Sequence, residues 1–180
     1  STNGMAFHPA LKGFATMQQN GDLSILQNVG YPEPVRSHFR SQEIWQTAPT
    51  NQEYLNDGWL GRYLDLQCKE HQATAGINLD RIDNLALKGM EPHSITVKDP
   101  ARFNVKTKQE NDIKLSDNPQ LDFVRKIANS VIESSVDIQN AIAKSTALDV
   151  IYPKTELAKN LEWISKLIKG NLNSKVYYTS

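Results

Sequence analysis

Leu23-Ser24-Ile25-Leu26-Gln27-Asn28-Val29 is rich in branched apolar residues and ends at Gly30, the pattern of a strand buried on both faces. Upstream, Pro9 suits a first helical position, and Leu11, Phe14, Ala15 and Gln18 recur at three-to-four spacing. Asn20-Gly21 then supplies a stop, so a short helix with a left-handed cap is expected over 8–20. Helix followed by strand points to the α/β class. Downstream, Tyr31-Pro32-Glu33-Pro34 cannot continue a ladder, because the two prolines lack donors. The chain must leave the sheet here, at the kind of strand end where α/β folds put ligands.

Beyond that loop, Ser37 is placed to cap a helix running through Arg40, Ile44 and Trp45. Asp57 or Gly58 begins another through Trp59, Leu60, Tyr63, Leu64 and Leu66. From 72 to 116 the periodicity fades into an irregular, insertion-like middle in which only Ser94-Ile95-Thr96-Val97 reads as a short strand. Ser116-Asp117-Asn118-Pro119 then offers cap candidates and a proline start to a long helix through Leu121, Val124, Ala128, Val131, Ile138 and Ile142. Its seam could also serve a coiled coil, but Ser135 interrupts it and the heptads are few, which favours a core-facing helix. Tyr152-Pro153 breaks the pattern. A second helix follows, with Leu157, Leu161, Ile164, Leu167 and Ile168 on one face, Thr155 near its start and Gly170 just past its end. Val176-Tyr177-Tyr178-Thr179 reads as a strand. With one candidate strand near the start and one at the last residues, 1–180 is expected to be a single domain forming an internal portion of a larger one. Sheet edges left open in such a portion would favour a homodimer.

Composition narrows the function classes. With 39% hydrophobic and 22% charged residues among 180, the chain has the make-up of a soluble globular domain. Its 20 Lys+Arg balance its 20 Asp+Glu, so nothing pulls on a phosphate backbone and nucleic-acid binding is not expected. No apolar run approaches the roughly 18 residues of a membrane span, and no secretory signal stands at Ser1. Cys68 is the single cysteine, which precludes an internal disulfide.

Two guanidinium groups, an imidazole and two hydroxyls fall together in Arg36-Ser37-His38-Phe39-Arg40-Ser41, directly after the exit loop. If Ser37 caps a helix, the first unpaired backbone amides favour an anion there, and a phosphate or sulfate ester fits. Arg36 or Arg40 could clamp its oxygens in bidentate fashion, while the Ser37 hydroxyl attacks phosphorus or sulfur. The simpler role for Ser37 is a helix cap alone, worth about 1 kcal/mol. His8, His38, His71 and His93 have no paired spacing, so a complete metal site from this chain is not expected. His8, His71 and His93 read as surface or packing residues, whereas His38 stands out by its neighbours. Gly58 and Gly61 flank Trp59-Leu60 without forming a phosphate loop, and read as a helix start with a tight packing contact. Trp45, Tyr54, Trp59 and Tyr63 are spaced as core residues, with sugar stacking or a partner surface as the alternative.

The run His8-Pro9-Ala10-Leu11, Leu23 to Val29, Gly30-Tyr31-Pro32, Arg36 to Ser41, Ile44-Trp45 and Gly58-Trp59-Leu60-Gly61-Arg62 closely resembles the sulfatase-like family called domain of unknown function 1501. In the tail, Tyr152-Pro153, Thr155, Leu157-Ala158, Leu161 and Val176-Tyr177-Tyr178 resemble the stretch preceding that family's Gly-Gly-Phe-Asp-Thr-His motif. The resemblance implies a partial alkaline-phosphatase-like three-layer α/β sandwich, with a mainly parallel sheet and helices on both faces. It also implies twin-arginine export to the periplasm or outside, and two divalent metal ions in the full protein. The family's metal-bearing segments are missing here, so the chain alone should be inactive and hold no cofactor. Ser37 corresponds by context to the superfamily's nucleophile, with Arg36, His38 and Arg40 binding the ester. Neither Ser37 nor Cys68 is followed by the proline that a formylglycine sulfatase needs, which leaves an unmodified serine. The alternative is a non-catalytic exported glycan-binding or assembly protein using Trp45 and Trp59.

Overall fold

The computed structural model describes residues 6–68, 72–105 and 116–180. Two compact units divide the chain, Ser1–Pro34 and Val35–Ser180. In the first, helix α1 spans Lys12–Gln19 and the chain turns away through Gly21 at φ +81°. Residues 23–29, expected as a doubly buried strand, form no strand. Ile25, Leu26 and Val29 are 48%, 79% and 59% exposed. Branched apolar residues favour a ladder only where a neighbouring strand and a covering layer exist. No strand pairs with this run among the described residues. Tyr31-Pro32-Glu33-Pro34 is therefore not an exit from a sheet, since no strand among the described residues leads into it; the chain bends at Pro32 and Glu33, the latter at φ 52°.

The second unit is mixed helix and sheet, hence α/β. Its helices are α2 His38–Thr47, α3 Trp59–Gln67, α4 Pro119–Lys144 and α5 Glu156–Lys169. Its strands are β1 Gly76–Asn78, β2 Ser94–Thr96 and β3 Val176–Tyr178. They form one parallel sheet ordered β2-β1-β3, with Gly76 opposite Ser94 on one side and Val176 on the other. The stretch expected to be irregular therefore supplies, within 72–105, both the anticipated β2 and the unanticipated central strand β1. Residues 106–115 of that stretch lie outside the described residues.

Alternation along β1 assigns its two faces. Ile77 and Leu79, with Val97, pack against Ile138 and Ala141 of α4 and Leu167 of α5. On the opposite face Gly76 meets Leu64 of α3 and Leu87 of the 3-10 turn Leu85–Leu87, and Ala75, just before the strand, packs with the same two leucines. A Cβ on Gly76 would lie 2.9 Å from Leu64 and from Ser94, so a larger residue would push α3 off the sheet. Gly58 and Gly61 bring α3 onto the connection after β1. Side chains there would fall 2.1 Å from the Leu85 carbonyl oxygen and 2.2 Å from that of Lys88.

Helix α4 starts as expected, with the Asn118 side chain accepting from the amides of Gln120 and Leu121 and with Pro119 at its head. Its apolar seam is buried only in its second half. Leu121 and Val124 are exposed, whereas Ile138 and Ala141 are buried. Ser135, which breaks the seam, accepts from the Val105 amide at 2.9 Å and donates to the Phe103 carbonyl at 3.2 Å. The interrupting serine thus anchors the chain segment after β2. Thr155 caps α5 by accepting from the Ala158 amide.

Candidate functional site

Ser37 stands as the N-cap of α2 in extended conformation, and its hydroxyl accepts from the Arg40 amide at 3.4 Å. The Ser37 carbonyl accepts the Ser41 amide at 2.9 Å, starting the helical ladder. Two residues before Ser37, the Val35 carbonyl accepts the Ser41 hydroxyl at 3.0 Å. The chain is thereby gripped on both sides of the cap. Arg36, Ser37 and His38 are all exposed, so their side chains share one solvent-facing helix start.

Arg40 goes elsewhere. It is 8% exposed, and its guanidinium donates to the backbone carbonyls of Thr50, Asn51 and Glu53. It also lies 3.1 Å from the Glu43 carboxylate and stacks 3.8 Å from the centre of the Tyr54 ring. A planar cation with a fork of donors is suited to gathering several carbonyls of one loop. Arg40 therefore fastens the loop after α2 to the first turn of the same helix. Arg62 does similar work between helices, donating to Asp57 at 2.6 Å and to the Thr47 carbonyl at 2.8 Å. An ion-paired, loop-fastening Arg40 is compatible with the sequence, but no motif marks Glu43, Tyr54 or the loop carbonyls as its partners. Backbone acceptors 10 to 13 residues away carry no side-chain signature.

The aromatic residues are turned outward. Trp45 and Trp59 are 55% and 47% exposed, and Tyr63 lies one turn beyond Trp59 on α3, also exposed. Core spacing did not place them in the core, because α3 presents Gly61 and Leu64 to the interior instead. Cys68 is a free, partly buried thiol packed beside Leu64 and Leu87.

The histidines do not converge. His8 accepts the Ala10 amide through Nδ1 at a helix start, and buried His93 sits 3.9 Å from Asp65. His71 lies outside the described residues. Among the described residues no group of three or more His, Cys, Asp or Glu could hold a metal ion.

A second polar gathering lies at the carboxyl ends of β1 and β3. The Asn160 amide on α5 donates to the Leu79 carbonyl and the Thr179 hydroxyl. Asp80 accepts from the Ser180 hydroxyl and the Arg81 amide, and these hydrogen bonds hold its carboxyl below the ordinary value. Its groups satisfy one another and close the sheet end.

No family model matches the chain, and no curated protein and no solved structure is significantly similar to it. Among the described residues, no helix is long and apolar enough to cross a membrane.

Proposed function

We propose that this chain is part of an exported sulfatase- or phosphatase-like hydrolase of the domain of unknown function 1501 family, in which Ser37 meets an anionic phosphate or sulfate ester. In this proposal the three-stranded sheet and its helices belong to an alkaline-phosphatase-like sandwich, and the protein acts in the periplasm or outside the cell. One observation carries the reading: the Ser37 hydroxyl is exposed at the start of a ten-residue helix, with Arg36 and His38 exposed beside it.

Free amides and the helix dipole favour negative charge at this position. Arg36 and His38 hold the ester oxygens. Arg40 keeps the first turn and the following loop in place from inside. The Ser37 oxygen forms the bond to phosphorus or sulfur as the ester oxygen leaves with its electron pair, and the serine proton passes to that departing oxygen. Water then releases the acid and restores the hydroxyl. The described residues form no group of three or more His, Cys, Asp or Glu able to hold the divalent ions implied by the resemblance.

Hydrolysis of p-nitrophenyl phosphate and p-nitrophenyl sulfate, with and without divalent ions, tests this in the longer protein that the resemblance implies. Ser37→Asn retains a capping acceptor without a nucleophilic hydroxyl, so it should abolish turnover while the protein stays folded. Unchanged turnover in that variant would overturn the role of Ser37.

The exposure of Trp45 and Trp59 favours a second reading, a non-catalytic glycan-binding or assembly protein. Trp59→Ala would then weaken retardation in gels containing soluble polysaccharides, and equal migration of the two forms would count against it.

A further inference from the structure

The sheet has an open side whose surroundings specify an occupant. Along β2, the His93 carbonyl accepts from Gly76 and the Val97 amide donates to Asn78, so these residues face β1. In a parallel ladder the intervening Ser94 and Thr96 turn their N–H and C=O groups the other way. No other strand lies there among the described residues. Beside this edge runs a groove of about 530 Å³. Leu85, Leu87 and Met90 of the β1-to-β2 connection line one side, and Phe123 and Ile127 of α4 line the other. Met90 is 81% and Phe123 58% exposed, the latter on the half of α4 that leaves its apolar seam uncovered.

An added strand would point successive side chains to the two walls in turn. Both walls carry apolar side chains among polar ones such as Asn84 and Glu91, so the complementary sequence is a branched apolar run, unlike the strictly alternating one that suits an edge with one solvent-facing side. Charge sets the ends. Asp83 follows the carboxyl end of β1 and Lys88 follows the 3-10 turn, and both line the groove without an ion-pair partner among the described residues. A basic residue at one end of the incoming segment and an acidic residue at the other would answer them.

We propose that this groove binds an extended peptide segment of a partner protein by strand addition to β2. Its main chain pairs with Ser94 and Thr96, its apolar side chains enter both walls, and its terminal charges face Lys88 and Asp83. This site is separate from the Ser37 helix start, and in the longer protein of the reading above it makes β2 the edge strand, the sheet continuing past β3.

The probe is a labelled peptide of sequence Glu-Val-Ile-Val-Thr-Val-Ile-Lys, titrated into the intact chain by fluorescence anisotropy, with amide exchange followed by NMR. The expected result is saturable binding that slows exchange at Ser94 and Thr96, and a reversed-charge peptide bound more weakly. Phe123→Asp, at an exposed position, should weaken binding at least tenfold. Thr96→Pro, which removes one edge donor, should do the same, and Thr96→Val should restore it. Absence of saturable binding, or binding indifferent to Phe123→Asp, would overturn the proposal. So would protection of the same amides in a dimer without peptide, which would make a second copy the occupant.

Discussion

Residues 23–29 and 73–79 are runs of equal length with opposite fates. The first holds the bulkier and more branched side chains, yet Ile25, Leu26 and Val29 are largely exposed. The second is built from small and polar residues around Ile77, yet Ala75 and Ile77 are 0% exposed. What separates them is context. The second run has a strand on each side and helices on both faces, and its small residues let α3 and the turn at Leu87 approach closely. Burial here follows from ladder partners and covering layers more than from intrinsic strand preference.

The largest effect should come from emptying the middle of that sandwich. Ile77→Ala is expected to cost about 2–5 kcal/mol in urea unfolding, while Ile25→Ala should stay within about 0.5 kcal/mol. Equal costs would break the contrast. A smaller loss is expected from the loop clamp: Arg40→Ala leaves the carbonyls of Thr50, Asn51 and Glu53 without their donor, at about 1–3 kcal/mol. An Arg40→Ala protein as stable as the parent would show that solvent replaces the guanidinium without loss.

The smallest effect concerns charge on α4. Partial desolvation beside the helix surface, and then the nearby Glu133 carboxylate, raise the Asp137 carboxyl above its ordinary value of 3.8. The folded chain thus holds this proton more tightly than the unfolded one, and stability falls as pH rises from that ordinary value through the raised one. Asp137→Asn removes the penalty, so the variant should be slightly more stable above this window and no more stable below it. Thermal unfolding at several pH values measures the difference, and a gain that persists at the acid end would contradict the assignment.

Much of the helical framework is legible from local chemistry. Ser37, Asn118-Pro119 and Thr155 are capping residues whose hydroxyl or amide oxygens meet backbone amides, and the helices begin where those residues stand. The strand Val176–Tyr178 is likewise visible as a branched aromatic run. The centre of the sheet is not, because Ala73-Thr74-Ala75-Gly76 carries neither a branched run nor alternation, and its three-residue strand is defined by partners 18 and 100 residues away. The polar grouping from Arg36 to Ser41 is evident in sequence, but the inward course of Arg40 is not. Nothing in its neighbours distinguishes a guanidinium that meets solvent from one that gathers backbone carbonyls.

The most direct test of this account is hydrogen exchange at single-residue resolution across both runs. The amides of Gly76 and Leu79, which donate to His93 and Tyr178, should exchange only on global unfolding, while those of Ser24 to Leu26 should exchange orders of magnitude faster. Protection of residues 24–26 equal to that of 76–79 would contradict it, because both runs would then lie in ladders of the folded protein.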